Sequence, residues 1–410
     1  RSMFFEGKHI VLGVCGGIAA YKSGDLIREL QRKGASGVHP ILSQDAPHFI
    51  TALTLSSLSK YPATSEHHAV DAQGVPLHIS LAQWGDALLL YPATANLIAQ
   101  LAQGLTGDLV TATALCFNEK PIVISPAMNT RMWEHPFTQR NLATLATLPN
   151  VHIVPPTEGL LACGETGTGH LAPDTWTLLT LYRAVHPQNK RLAGKKVLVT
   201  AGGTQEALDP ARILTNKSSG KMGLALADEA YAMGADVTLI TANIQHIGMR
   251  PYTTILAQDV QSMKDAALEL FPSHDWLLKA AAVSDFKPVQ PQASKIKKQA
   301  TNAPYVLELE ATVDILKTVC GLKKHHQRVL GFAAESETGD LTPLYAKLHR
   351  KGADALAVNN INRSDIAFNS EDNEMQLLFA EGTQAPVFIE KASKDVVARH
   401  LLVRLADVWL

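Results

Sequence analysis

Short apolar strands that run into glycine turns and then into amphipathic helices recur along this chain, and that alternation restricts it to few folds. His9 to Val14 reads as a buried strand and Gly16-Gly17 as a turn. The helix that follows carries Leu26, Ile27 and Leu30 until Gly34 stops it. Ala87 to Leu90 and Pro121 to Ser125 read as further buried strands. Strands spaced by helices in this way imply a parallel sheet covered on both faces, an α/β architecture. The pattern lapses over residues 184–190 (AVHPQNK) and restarts with strands at Lys196 to Thr200 and Asp236 to Thr241, the turn Gly202-Gly203 between them. The expectation is two Rossmann-like or flavodoxin-like three-layer domains with mostly parallel sheets. They would span residues 1–186 and 195–410, with a linker at 187–194. Arg1-Ser2, ahead of Met3, is left out of that reasoning.

A chain of 410 residues can bury two or three cores. Its net charge of −1 gives no whole-chain reason to expect nucleic acid or an anionic membrane as partner. There is no apolar run of membrane-spanning length and no signal-peptide pattern. The cysteines Cys15, Cys116, Cys163 and Cys320 are far apart and form no CxxC pair, which points to a reducing cytoplasm and away from a disulfide framework or zinc site.

The most informative stretch in the first half is residues 126–133, PAMNTRMW, just past a buried strand. In open α/β sheets ligands bind outside the carboxyl ends of strands. Met128, Met132 and Trp133 are costly to expose in a loop, and the Asn129 carboxamide can both accept and donate. On its own the segment could equally be a loop that caps the core. The turn at residues 13–22 (GVCGGIAAYK) puts glycines between a strand and a helix N-terminus, a favourable place for a phosphate. It lacks the GxGxxG spacing, which argues for a mononucleotide such as FMN, although tight packing alone also uses glycine there. Residues 91–96 (YPATAN) follow the second strand with small side chains, a hydroxyl and an amide, so that a flat ring could approach the backbone. His78 sits just before a helical stretch running toward Trp84. One histidine among sixteen is more often structural than catalytic.

Taken together, these segments resemble the flavin-binding cysteine decarboxylases, and residues 159–169 (GLLACGETGTG) resemble that family's substrate clamp. The resemblance implies FMN contacts at Gly16, Gly17, Ile18, Ser43, Thr94, Asn96, Ser125 and Met128. It also implies His78 as the base region, Asn129 on the substrate carboxylate and Cys163 as proton donor in the closing reduction. The chemistry is coherent. A cysteine carboxylate has no electron sink, and oxidising the thiol to a thioaldehyde creates one, which a later reduction removes again. Cys15 departs from the family's usual serine and is expected to weaken a contact to the FMN phosphate.

The second half carries AGGT at 201–204, NKSSGKMG at 216–223, AAAVSDF at 280–286, KIKK at 295–298 and GFAAE at 331–335. Ser218, Ser219 and Gly220 precede a helix and offer a second phosphate cradle that is not a GxxxxGK[ST] loop. Alone, the KIKK run would be a solvated basic turn. Taken in order, the set resembles phosphopantothenoylcysteine synthetases, ligases found fused behind the decarboxylase. This implies a bifunctional enzyme of coenzyme A biosynthesis. CTP, with Mg²⁺ on its phosphates, would activate phosphopantothenate as an acyl-cytidylate, cysteine would displace CMP, and the product would be decarboxylated to phosphopantetheine. Asn216 would turn over the acyl-cytidylate. Lys295 would steady phosphate charge, and Asp285, Phe332, Lys347 and Lys351 would contact nucleotide. Lys279 and Ser284 are unusual residues there and bear on nucleotide preference. The resemblance also implies a homo-oligomer, with decarboxylase trimers and ligase dimers joined into a particle as large as a dodecamer, the FMN near a subunit boundary. A lone peptidyl-cysteine decarboxylase or a flavin prenyltransferase would not carry the second half. A regulatory binding protein would not be expected to keep His78, Asn129, Cys163, Asn216 and Lys295 together.

Overall fold

A computed structural model describes residues 3–410 except 165, 244–246, 298–303, 336–338, 361–371 and 381–383. Glu165 and Lys298 of the motifs above lie outside the described residues, as does the side chain of Glu335. The chain divides into two compact units, residues 1–189 and 190–410.

In the first unit the strands β1 (His9–Val14), β2 (Gly37–Leu42), β3 (Ala87–Ala93), β4 (Ile122–Pro126) and β5 (Val151–Ile153) form one parallel sheet. Its order is β2-β1-β3-β4-β5, which places the reversal of strand order between β1 and β3. Strand alternation divides the apolar residues between two faces. Val11, Ile41, Leu88, Leu90 and Ile124 pack with α3 (Leu77–Trp84), α4 (Ala95–Gln103), α5 (Leu109–Cys116) and α7 (Pro136–Ala146). The alternate residues Ile10, Leu12, Leu89 and Val123 are equally buried and point to the opposite face, where α1 (Ser23–Arg32) and α8 (Asp174–Val185) lie. Helix α2 (Ala52–Ser59) flanks β2 and α1. The strand at 87–90 runs on to Ala93, so Tyr91 and Pro92 are strand residues and not part of a loop. The helix after the glycine turn starts late, because Ile18–Lys22 forms a 3-10 turn ahead of α1. Past β4 the chain makes the short helix α6 (Thr130–Glu134), and the hairpin β6 (Thr157–Leu160) with β7 (Thr166–His170) follows β5.

The second unit holds an eight-stranded sheet. Its strands are β8 (Lys196–Ala201), β11 (Asp236–Thr241), β12 (Thr253–Leu256), β13 (Trp276–Lys279), β16 (Arg328–Glu335), β17 (Ala355–Asn360), β18 (Asp372–Phe379) and β19 (Val387–Ser393). The order β12-β11-β8-β13-β16-β17-β18-β19 is parallel through β17, and the last two strands join antiparallel. Helices α9 (Lys221–Ala232) and α13 (Lys394–Trp409) bury Leu226, Ala230, Leu401 and Leu405 against Val197, Val199, Leu278 and Leu330. On the other face α10 (Val260–Leu270), α11 (Ile315–Cys320) and α12 (Thr342–Lys351) set Met263, Leu316, Leu344 and Leu348 against Leu198, Leu277, Val329 and Leu356. Two small hairpins, β9 (Gln205–Asp209) with β10 (Arg212–Thr215) and β14 (Phe286–Pro288) with β15 (Leu309–Ala311), arise after the carboxyl ends of β8 and β13. Among the described residues no helix is long and apolar enough to cross a membrane.

Candidate active sites

In the first unit a cavity of about 720 Å³ opens at the carboxyl ends of β1, β3 and β4, over the reversal of strand order. Gly16, Gly17, Ile18, Ser43, Thr94, Asn96 and Met128 all line it, together with Asn129 and Cys163. The Gly16 N–H donates to Ser43 Oγ at 3.2 Å. A Cβ on Gly16 would come within 2.7 Å of the Asp45 Cβ, so only glycine lets the turn pass this close. No side chain caps the 3-10 turn after Gly17, which leaves its first N–H groups to a ligand. Thr94 caps α4 by accepting from the Leu97 N–H at 3.2 Å, and its hydroxyl proton stays available to the cavity. Cys15 lies fully buried in the cavity floor. Burial, reinforced by Asp108, pushes its thiol up to about 12, so it presents no charge to an anion.

The PAMNTRMW stretch is half helical: Asn129 Oδ1 accepts from the Arg131 N–H at 2.9 Å and opens α6. That bond turns the other end of the carboxamide outward, and Nδ2 lies 3.3 Å from Cys163 Sγ. Cys163 is at the tip of the β6–β7 hairpin, whose glycines explain its sequence. The Gly169 carbonyl accepts from the Met128 N–H at 3.0 Å, and a Cβ on Gly169 would lie 2.2 Å from the Met128 carbonyl oxygen. One on Gly167 would press on Thr130 at 2.4 Å. The hairpin therefore lies flat on the octapeptide only because both positions lack a side chain.

Two expected residues are not brought to this cavity. Ser125 is fully buried, with its Oγ 3.0 Å from Thr177 Oγ1, so it ties β4 to α8. His78 falls inside the first turn of α3 and not before it. It is absent from the cavity lining, and its Nδ1 is buried without a hydrogen-bond partner among the described residues.

A second cavity, of about 620 Å³, lies at the carboxyl ends of β13 and β16 and is lined by Asn216, Asp285, Phe332, Lys347 and Lys351. Asn216 Nδ2 donates to the Val283 carbonyl at 3.2 Å, which fixes the amide face. Gly220, at φ +74, turns the chain into α9 as its N-cap. Gly223 lets α9 sit directly on β8, since a Cβ there would reach 2.6 Å from the Ala201 Cβ. Lys295 is exposed and does not line the cavity. Its loop is tied instead to Asp209, which accepts the Ile296 N–H at 3.0 Å, the Ala211 N–H at 2.7 Å and the Arg212 guanidinium. Burial alone would raise Asp209, but these donors outweigh it and hold the carboxyl at about 2.

The family model described as Flavoprotein matches residues 4–180. The model described as DNA/pantothenate metabolism flavoprotein C-terminal domain matches residues 192–408. A coenzyme A biosynthesis bifunctional protein of Vibrio cholerae is 38% identical over 400 residues, 97% of each chain. Its counterpart in Vibrio vulnificus is 36% identical over 401 residues, also 97% of each. The chain belongs to the family of coenzyme A biosynthesis bifunctional proteins. Among solved structures, the C-terminal domain of such a protein is 31% identical, covering 53% of this chain and 97% of that one, with a TM-score of 0.42.

Beside the residues expected of this family, the second cavity holds Asp314, Asn373 and Lys394, which no motif announced, and the side chain of Lys279, which the sequence had marked as unusual. Asp314 caps α11 and pairs with Lys351. Burial would raise its carboxyl, but the Lys317 N–H and Lys351 hold it below the usual range. Ser284 is not in the lining. It is buried, donates to the Phe286 carbonyl at 2.6 Å and shapes the loop that carries Asp285. Tertiary folding gathers these residues from separate elements, and only Asp314 offered a local signal, as an N-cap before an apolar helix.

Proposed function

We propose that this family member ligates 4′-phosphopantothenate to cysteine with CTP at the second cavity and decarboxylates the product to 4′-phosphopantetheine at the first. The observation that carries the reading is the Asn129 carboxamide 3.3 Å from the Cys163 thiol on the wall of a glycine-cradled cavity. The uncapped turn after Gly17, the neutral Cys15 and the open volume fit FMN. FMN, when bound, would take up and give back the hydride that lets the substrate lose CO2 with no net oxidation. Around it the protein's own groups bind and orient. The Gly16–Ile18 turn would hold its phosphate, and Thr94, Asn96 and Met128 of the same lining would hold the rest of the group. Asn129 receives the substrate carboxylate, and Cys163 delivers a proton to carbon. The hairpin excludes water while the reactive intermediate exists.

In the second cavity Asn216 offers an N–H to the oxyanion that forms when cysteine attacks the acyl-cytidylate. Asp285, Phe332, Lys347 and Lys351 hold the nucleotide. Lys295 acts once its loop closes over a cavity, its own or that of a second copy. Mg²⁺ arrives on the CTP phosphates and needs no dedicated cage. The protein is a cytoplasmic homo-oligomer of decarboxylase trimers and ligase dimers, up to a dodecamer. His78 serves as base from a neighbouring copy, in keeping with its absence from the lining of its own cavity and with Ile18 and Tyr21, two lining residues each 64% exposed.

Mass spectrometry of the products from phosphopantothenate, cysteine, CTP and Mg²⁺ tests the whole reading. Phosphopantetheine with CMP is expected. A flavin-bound protein yielding neither would leave only a regulatory ligand-binding role. A sharper test is Gly169→Ala, where the new Cβ meets a backbone carbonyl that cannot yield and the φ of +137 disfavours alanine. Displacing the hairpin by about 1 Å should cut phosphopantetheine formation roughly 100-fold. Release of CMP should be unchanged, and an unaltered decarboxylation rate would mean that the hairpin does not position Cys163.

A further inference from the structure

The chain leaves β8 toward β11 and β12 on one side and returns through β13 toward β16 on the other. The crevice between β8 and β13 is thus the reversal point of the second sheet, where open α/β folds take their ligands. Lys279 is the last residue of β13, half-buried, and its side chain lines the cavity there. The charged groups acting on it are Asp314 at the start of α11, Lys347 and Lys351 on α12, and Asp285 after β13. Lys221 and Lys394, the first residues of α9 and α13, line the same cavity, making five lysines against two aspartates. Asp314 is already engaged by Lys351 and the Lys317 N–H. The Lys279 ammonium has neither hydrogen bond nor ion pair among the described residues.

A half-buried lysine head with no hydrogen bond or ion pair loses part of its hydration without compensation, a cost that an apolar residue would remove. Its presence makes sense if something anionic completes it. We infer that Lys279 is a phosphate-binding residue of the ligase site, contacting a phosphoryl oxygen of the nucleotide or of the phosphorylated acid that it activates. This rests on the ligase reading above and adds a contact to it.

The free site has a further property. Burial pushes Lys279 down to about 8, which Asp314 offsets only in part and Lys351 deepens. At pH 9 this downward shift favours the neutral amine before a ligand arrives, and an arriving oxyanion draws a proton onto it. Below pH 7 the cation is already formed, so the coupling vanishes.

Calorimetric titration of the full-length protein with CTP and Mg²⁺, and separately with phosphopantothenate, in buffers of different ionisation enthalpy at pH 9 tests this. Lys279→Met should weaken binding of one ligand by about ten- to hundred-fold, the loss of one charge-assisted hydrogen bond. It should also take up about one proton fewer per ligand bound. Lys279→Arg should retain most of the affinity, and circular dichroism at pH 7 should find both variants folded. Weakening confined to CTP assigns the contact to the nucleotide, and weakening confined to phosphopantothenate assigns it to the acid's phosphate. Unchanged affinity and proton uptake for both ligands in Lys279→Met would overturn the inference while leaving the ligase reading intact. Absence of CTP binding by the unaltered protein would remove both.

Discussion

Cys163→Ser is expected to release CO2 at close to the normal rate while forming phosphopantetheine at least 100-fold more slowly. The two halves of the decarboxylation make different demands on this residue. Loss of CO2 needs the substrate carboxylate placed correctly, and in the proposed reading the Asn129 carboxamide would do that from the octapeptide, where its bond to the Arg131 N–H is independent of the hairpin. Closing the sequence needs a proton delivered to carbon, a step for which a positioned general acid contributes about 10²- to 10⁴-fold. A serine hydroxyl fits the same space but is a far weaker acid than a thiol. A single-turnover assay that follows ¹⁴CO2 and products together reads both halves. Full phosphopantetheine yield from the variant would remove Cys163 from the chemistry and leave the 3.3 Å contact with Asn129 as packing alone.

Much of the fold could be read from periodicity because its strands are buried on both faces. Runs such as HIVLGV and DVTLIT are continuous apolar blocks bounded by polar or glycine residues, and the strands His9–Val14 and Asp236–Thr241 fall where that pattern puts them. The misplacements sit where a backbone choice depends on distant partners. Tyr91 and Pro92 read as loop because proline usually breaks a sheet, yet the strand continues to Ala93 through a register shift against β4. The 3-10 turn at Ile18–Lys22 puts the start of α1 at Ser23, and neither the turn nor the helix has a side-chain cap that the sequence could have announced.

The sites were legible as motifs but not as geometry. Glycine spacing announced the clamp, and only the packed structure gives its reason, the Met128 carbonyl and Thr130 side chain that fill the space at Gly169 and Gly167. Ser125 is next to the octapeptide in sequence, but strand alternation points it to the opposite face, against α8. Sequence order could not indicate that His78 and Lys295 would stand outside the linings of the cavities their motifs imply. Lys279 and Ser284 looked equivalent as departures five residues apart. Burial separates them: Lys279 opens onto the second cavity, and Ser284 turns into the loop beneath it.

Asn216→Asp should stop the ligase half-way, accumulating enzyme-bound acyl-cytidylate and slowing CMP release by about 10²- to 10³-fold, the usual cost of losing one oxyanion donor. The exchange replaces an N–H with an oxygen of nearly equal size, so packing changes little and the electrostatics change sign. In the native arrangement Nδ2 donates to the Val283 carbonyl at 3.2 Å, and its second hydrogen is free to meet the tetrahedral oxyanion. A carboxylate there faces the Val283 carbonyl with no donor between them and repels the charge that builds as cysteine adds. Activation by CTP should survive, because the proposed reading assigns the nucleotide to other residues of the lining, Lys347 and Lys351 among them. Rapid quenching with radiolabelled CTP separates the two steps: pyrophosphate should appear in a burst of one equivalent or less, with the label held on protein as acyl-cytidylate. Steady CMP release at the native rate, with no trapped adduct, would mean that Asn216 organises the loop around Val283 and takes no part in aminolysis.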